Sequence, residues 1–349
     1  MKTFCRNYLY SVLVLYSVGL LVGCQMQKRY GAGVTPDSES TNDVNSADKL
    51  TVEDPLISGG AVPASFESDS SMQPMHTSEN DALSDDKKIS KWQSLPEWVL
   101  FQPVKFPKGF IEKLVLEGQR VEFKSEDGTE LDGRYFRGVR PKHIVVFCHG
   151  NGGNLGYRCE RMEQLQKQHD VAFFIFDYRG YGRSQGMPTI TGAIADGRAA
   201  VRKAAELANV EPSDVIVMGR SLGGAIATQL ATEFNSKGLI IESSFTSFKD
   251  IARHHAGWGH WMIDKSTLNS EEAIKAYHGK VLISHGADDK TVPVEMGQRL
   301  IAAANHPKLF YEIADGSHHD SMPQEYKELL KEFFDSYGAV QPINTSVRR

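Results

Sequence analysis

The chain has 349 residues, with 39 Lys and Arg against 44 Asp and Glu, for a net charge of −5. Charges of both signs are mixed along it, so there is no basic footprint and nucleic acid is not an expected partner. Once its polar N-terminal part is set aside, roughly 240 residues remain, long enough for one α/β domain with a large core.

Lys2 and Arg6 precede an apolar run over 9–22 that is too short to span a membrane comfortably, and Gly23-Cys24 follows. Leu21-Val22-Gly23-Cys24 resembles a bacterial lipobox. That resemblance implies a signal peptide over 1–23, cleavage ahead of Cys24, and acylation of its thiol and new amino group. Several acyl chains together anchor stably where one is marginal. The implied location is the bacterial cell envelope, with a lipid anchor as the membrane partner. Gln25 in the next position, rather than Asp, favours the outer membrane in an enterobacterial-type sorting scheme. The competing reading is an ordinary secretory signal or an uncleaved anchor. Residues 24–92 are rich in Ser, Asp, Glu, Asn and Thr without periodicity, and are expected to be a flexible tether that cannot bury enough apolar surface to order itself.

The domain expected over 93–338 opens on an antiparallel hairpin, 120–124 and 131–137, joined through Glu126-Asp127-Gly128-Thr129. Strand-like runs then alternate with helical ones, which points to a mostly parallel sheet covered on both faces. The helices are expected over 155–168, 193–208, 222–235, 294–304 and 324–337, with a disordered tail over 339–349. The strand His143 to Cys148 runs into His149-Gly150-Asn151-Gly152-Gly153-Asn154, a loop suited to supply a backbone N–H to a developing oxyanion, and Asn151 is the expected donor. His149 beside it reads as a brace for that loop. Cys148 and Cys159 read as two free core thiols.

Gly-x-Ser-x-Gly occurs twice. At Gly219-Arg220-Ser221-Leu222-Gly223 an apolar run precedes it and a helical run follows, which is the setting of a nucleophile elbow. Ser221 is therefore the candidate nucleophile, and the Leu222 N–H the other oxyanion donor. At Gly182-Arg183-Ser184-Gln185-Gly186 the strand has already ended at Asp177, and Pro188 stands where an elbow helix would run, so Ser184 is expected in a surface loop.

A serine needs a base and an orienting acid. The strand at 281–284 leads to Asp288 and Asp289, and the strand at 308–313 leads to His318 and His319. Glu242 is a third acid at a strand end and reads as bonding nearby loop backbone. His254, His255 and His260 match no zinc spacing, and no phosphate-binding glycine motif is present, so no metal or cofactor is expected.

H-G-N-G-G-N, D-Y-R-G-Y-G-x-S, G-R-S-L-G-G, G-x-x-D-x-x-V-P and D-G-S-H fall in the order shown by α/β-hydrolase-fold serine hydrolases. The resemblance covers about Leu95 to Tyr337, and within that superfamily the chain is similar to the small-cap branch described as serine-aminopeptidase-like or BEM46-like. It implies the α/β-hydrolase fold with Ser221, Asp289 and His318 as the triad. The family often has Asn after the histidine where this chain has His319. The implied activity is hydrolysis of a small-molecule acyl substrate, a carboxylic ester or else a thioester or amide, through an acyl-enzyme. The competing class is a peptidase-type or non-catalytic binding lipoprotein. The short cap over 243–279 carries Phe245, Phe248, Trp258, Trp261, Met262 and Ile263 as an expected apolar lining, which favours short-to-medium acyl esters over aminopeptidase substrates.

Overall fold

The computed structural model describes residues 100–105, 118–256, 260, 263–319 and 322–337. The expected signal, Cys24, the tether, the C-terminal tail, and Trp258, Trp261 and Met262 of the cap lie outside the described residues.

Eight strands form one sheet: β1 (Gln119–Lys124), β2 (Glu130–Phe136), β3 (His143–Cys148), β4 (Val171–Phe176), β5 (Ile216–Arg220), β6 (Gly238–Glu242), β7 (Lys280–Gly286) and β8 (Lys308–Ile313). Their order across the sheet is β1-β2-β4-β3-β5-β6-β7-β8. Strand β2 runs antiparallel to β1 and to β4, and every other neighbouring pair is parallel. The helices are α1 (Cys159–His169), α2 (Ile190–Ala208), α3 (Leu222–Phe234), α4 (Phe248–Ala256), α5 (Ser270–Ala273), α6 (Val294–Ala303) and α7 (Gln324–Asp335).

Because successive side chains on a strand point to opposite faces, each central strand feeds two cores. Val145, Phe147, Phe173, Ile175 and Met218 pack with Met162 and Leu165 of α1 and with Leu330 and Phe333 of α7. Their neighbours Ile144, Val146, Phe174, Val217 and Ile241 pack with Val201 of α2, Leu230 of α3 and Leu300 of α6. This two-faced burial is why the parallel strands read as continuous apolar runs rather than alternating ones.

Helix boundaries follow local chemistry. The Thr189 hydroxyl accepts the Gly192 N–H at 3.0 Å, so α2 starts three residues before the expected Ala193. The Asn154 side chain accepts the Gly156 N–H, giving a 3-10 turn over Leu155–Tyr157, and α1 begins only at Cys159. Asp170, Asn209 and Asn235 end α1, α2 and α3 in left-handed conformation, with φ of 52°, 55° and 47°. Cys148 and Cys159 are buried and unbridged.

Ser184 is not in a surface loop. It is 1% exposed, its Oγ donates to the Asp177 carbonyl at 2.7 Å and accepts the Asp132 N–H at 3.0 Å. The connection after β4 folds inward over the start of the sheet, and a polar loop sequence does not reveal that. In the cap, Phe245, Phe248 and Ile263 are likewise buried in the main core, where they fasten the cap to the sheet.

Parallel strands deliver their following loops to one edge of the sheet. The loops after β3, β5, β7 and β8, which carry Asn151, Ser221, Asp289 and His318, meet there.

Candidate active site

Ser221 stands between the end of β5 and the first turn of α3, with φ 53° and ψ −123°. That strained backbone is stabilised on both sides: the Ser221 N–H donates to the Glu242 carbonyl at 2.9 Å, and Ser244 Oγ donates to the Ser221 carbonyl at 2.8 Å. The flanking glycines are sterically required. A Cβ at Gly219 would lie 2.1 Å from the Gly223 carbonyl oxygen, and one at Gly223 would lie 2.0 Å from that of Cys148.

The loop after β3 lies directly over this turn. A Cβ at Gly150 would be 3.6 Å from Ser221 Cβ and 3.5 Å from the Arg220 carbonyl oxygen. The Asn151 carbonyl is turned away, accepting Tyr181 Oη at 2.7 Å. Leu222 is the first residue of α3, where backbone N–H groups have no intrahelical partner. His149 is fully buried, with Nδ1 2.6 Å from the Gly150 carbonyl oxygen and Nε2 3.5 Å from Asp177 Oδ1, so it braces the loop as expected.

Of the two acids after β7 and the two histidines after β8, Asp289 and His318 meet. His318 Nδ1 lies 2.7 Å from Asp289 Oδ2. Asp289 Oδ1 accepts the N–H groups of Thr291 and Val292, each at 2.8 Å. Asp288 is exposed and contributes its backbone N–H to the Gly316 carbonyl at 2.9 Å. A Cβ at Gly286 would fall 2.3 Å from the Gly316 oxygen, so the acid and histidine loops are in backbone contact. His319 stacks edge-to-face on His318 at 4.9 Å.

Burial raises the Asp289 carboxyl, but His285, His318 and the Val292 N–H outweigh it and hold the group well below the usual carboxylate range. An ionised carboxylate only accepts, so His318 carries its hydrogen on Nδ1 and leaves Nε2 as a lone pair. Burial lowers the His318 pKa despite the opposing pull of Asp289, which keeps the imidazole neutral at neutral pH. Burial, with His318, Arg220 and Arg158 beside it, lowers His319 to about 4.

Two features were not visible in the motifs. Arg220, next to the serine, donates to the His318 carbonyl, tying the nucleophile's strand to the histidine loop. Glu242 does not use its side chain on loop backbone. It accepts Arg161 at 2.6 and 2.8 Å and Tyr326 Oη at 3.0 Å. Burial alone would raise the Glu242 pKa, and the guanidinium groups of Arg161 and Arg220 bring it below the usual value instead. An arginine ending the strand just before the nucleophile, followed by an acid ending the adjacent strand, was the available signal. The imidazoles of His254 and His255 approach the carbonyls of Lys290 and Thr291 at 3.5 and 2.9 Å, joining α4 to the acid loop.

Comparison with known proteins bears on the family and the fold. A family model described as serine aminopeptidase, S33 matches residues 139–272, a span that contains Ser221 and stops before the acid and histidine loops. An uncharacterized protein of Mycobacterium tuberculosis is 31% identical over 229 residues, 64% of this chain and 80% of the relative. Protein bem46 of Schizosaccharomyces pombe is 26% identical over 263 residues, 70% of this chain and 87% of the relative. Among solved structures, a Pyrococcus furiosus esterase matches with a TM-score of 0.55 at 20% identity, over 69% of this chain and 99% of that one. The chain belongs to this α/β-hydrolase family and has its fold, a mostly parallel central sheet flanked by helices.

Proposed function

We propose that the protein is a serine hydrolase that cleaves carboxylic esters through an acyl-enzyme on Ser221. Ser221 Oγ attacks the substrate carbonyl while His318 Nε2 takes its proton, and Asp289 orients the imidazole and compensates its positive charge. The oxyanion is received by the N–H groups of Asn151 and Leu222. Collapse breaks the bond to the leaving alcohol, to which His318 returns the proton. Water, deprotonated by His318, then attacks the acyl-enzyme and releases the acid, restoring Ser221. The observation that carries this reading is the 2.7 Å contact of His318 with Asp289 beside a serine held in left-handed backbone.

Ester rather than aminoacyl substrates are favoured by the state of the acids. Glu242 is bound to Arg161 and Tyr326, Asp250 to Thr246 and Arg299, and Asp264 to Ser266. A substrate α-ammonium group needs an uncommitted carboxylate, which none of these three is. The solved esterases among the structural neighbours are consistent with an ester leaving group, and the working compartment is the cell envelope, reached through a lipid on Cys24. Labelling with a fluorophosphonate probe, followed by a series of p-nitrophenyl esters of increasing chain length and an aminoacyl amide, tests the proposal. Probe labelling that depends on Ser221, with a butyrate or hexanoate ester turned over faster than the amide, is the expected result. Labelling that persists in Ser221→Ala overturns the nucleophile, and faster turnover of the amide overturns the ester preference.

A further inference from the structure

Resting on that mechanism, we infer that the connection after β4, which holds the second Gly-Arg-Ser-x-Gly sequence, is the cradle that aims the oxyanion loop, with Tyr178 and Tyr181 as its positioning residues. Three consecutive carbonyls of the oxyanion loop are held from behind. Tyr178 Oη donates to the His149 carbonyl at 3.1 Å, His149 Nδ1 to that of Gly150 at 2.6 Å, and Tyr181 Oη to that of Asn151 at 2.7 Å. In a trans peptide the C=O and the next N–H point in opposite directions. Drawing the carbonyls of Gly150 and Asn151 into the protein therefore turns the Asn151 and Gly152 N–H groups outward, on the side where Gly150 faces Ser221.

The two tyrosines are suited to this because they cannot do much else. Both rings are fully buried, and they enclose the His149 ring at 4.5 and 5.1 Å. Burial pushes both phenols upward, so each stays a protonated donor. The loop that carries them is itself fixed. Ser184 bridges Asp177 and Asp132, the Arg179 guanidinium binds Asp196 at 2.8 Å, and the Gly182 N–H donates to the Val104 carbonyl at 3.1 Å. The segment through Val104 runs between cradle and oxyanion loop, its own N–H donating to the Gly153 carbonyl at 3.1 Å. The second pentapeptide thus serves the first: its serine locks the support of the hole that Ser221 uses.

The experiment compares Tyr178→Phe, Tyr181→Phe and the double variant with Tyr277→Phe. Tyr277 Oη also donates to a carbonyl, that of Ser236, at 2.7 Å, but it lies under α3 and apart from the oxyanion loop, so it controls for a lost buried hydrogen bond. Four readouts are taken: kcat and KM with a p-nitrophenyl ester, Ki of a trifluoromethyl ketone, Tm, and amide hydrogen exchange over 149–153. Tyr181→Phe is expected to lose on the order of 10-fold in kcat with KM nearly unchanged, and to weaken the ketone by the same factor, since a misaimed donor is felt only when the oxyanion forms. The double variant should lose more than either single one, and exchange over 149–153 should quicken. Tyr277→Phe should lower Tm and leave the other readouts alone. A Tyr181→Phe enzyme that behaves like Tyr277→Phe in all four readouts overturns the inference. Should the wild-type protein turn over no ester and take no fluorophosphonate, the hydrolase reading fails separately. Exchange then decides the cradle, and unchanged exchange overturns it.

Discussion

Replacing Asp289 by Asn tests the site at the atom where its logic is tightest. Asp289 Oδ1 receives two backbone N–H groups at 2.8 Å, and Oδ2 receives His318 at 2.7 Å. In Asp289→Asn the two N–H groups can donate only to an oxygen opposite them, so the amide oxygen stays at the Oδ1 position and the NH2 turns toward His318. A donor now faces Nδ1, the imidazole hydrogen moves to Nε2, and Nε2 has no lone pair for the serine proton. The orienting contact and the charge compensation are lost together. The expected loss in kcat is on the order of 10⁴, about 5 kcal/mol of transition-state stabilisation. Tm should change little, because shape and the two backbone hydrogen bonds are retained. Asp288→Asn, altering an exposed carboxylate, should stay within about twofold, since surface changes away from such features are mild. Steady-state hydrolysis of a p-nitrophenyl ester and the rate of fluorophosphonate labelling measure both variants. Retention of more than a tenth of wild-type kcat in Asp289→Asn, or a larger loss in Asp288→Asn, refutes the reasoning.

Ser221→Ala should abolish probe labelling and turnover at unchanged Tm. Ser184→Ala should leave the Asp132 N–H buried without its acceptor, costing about 1–3 kcal/mol of stability, and a denaturation midpoint measures it. The base must be neutral to work, and burial holds His318 below the ordinary 6.5, so kcat/KM should rise with pH to a plateau with its midpoint under that value; a midpoint above 7 contradicts the assignment. Glu242→Gln breaks a buried ion pair and leaves Arg161 uncompensated, for which about 3–5 kcal/mol of destabilisation is expected in a urea titration. Cys24→Ser should stop incorporation of labelled fatty acid and leave an unprocessed precursor on a gel.

The central strands of the sheet were legible because they are buried on both faces. Val171–Phe176 and Lys308–Ile313 were readable to the residue, since nothing polar interrupts the first and turn residues bound the second. The elbow around Ser221 was legible for a related reason: two glycines with no room for a Cβ leave a pattern that can be read without coordinates. Helix starts were less so where a cap lies ahead of the apolar run, as Thr189 does for α2. The choices between Asp288 and Asp289, and between His318 and His319, rested on motif position alone. They turn on which side chain of an adjacent pair faces inward, and adjacency carries no direction. Geometry separates them through Asp289, the acid of the pair that is buried against an imidazole.

The harder failures were Ser184 and Glu242, and they share a cause. Each is a polar residue beyond the last apolar residue of a strand, a place that reads as solvent, yet each is buried by a partner far along the chain: Asp132 for Ser184, 52 residues away, and Arg161 for Glu242, 81 residues away. Local pattern reports whether a residue can be wet and says nothing about which distant group will satisfy it when dry. The cap illustrates the same limit from the apolar side. Phe245, Phe248 and Ile263 were read as a lining for substrate, but an aromatic that fastens a cap and one that touches an acyl chain have the same letter. In the folded chain these three belong to the main core, so the chain-length preference of the enzyme should be insensitive to them while its stability is not. Phe248→Ala should therefore lower the melting temperature, at a cost of about 3–5 kcal/mol for a buried phenylalanine, and leave the ratio of hexanoate to acetate turnover unchanged. A shift of that ratio at unchanged stability would return Phe248 to the substrate pocket.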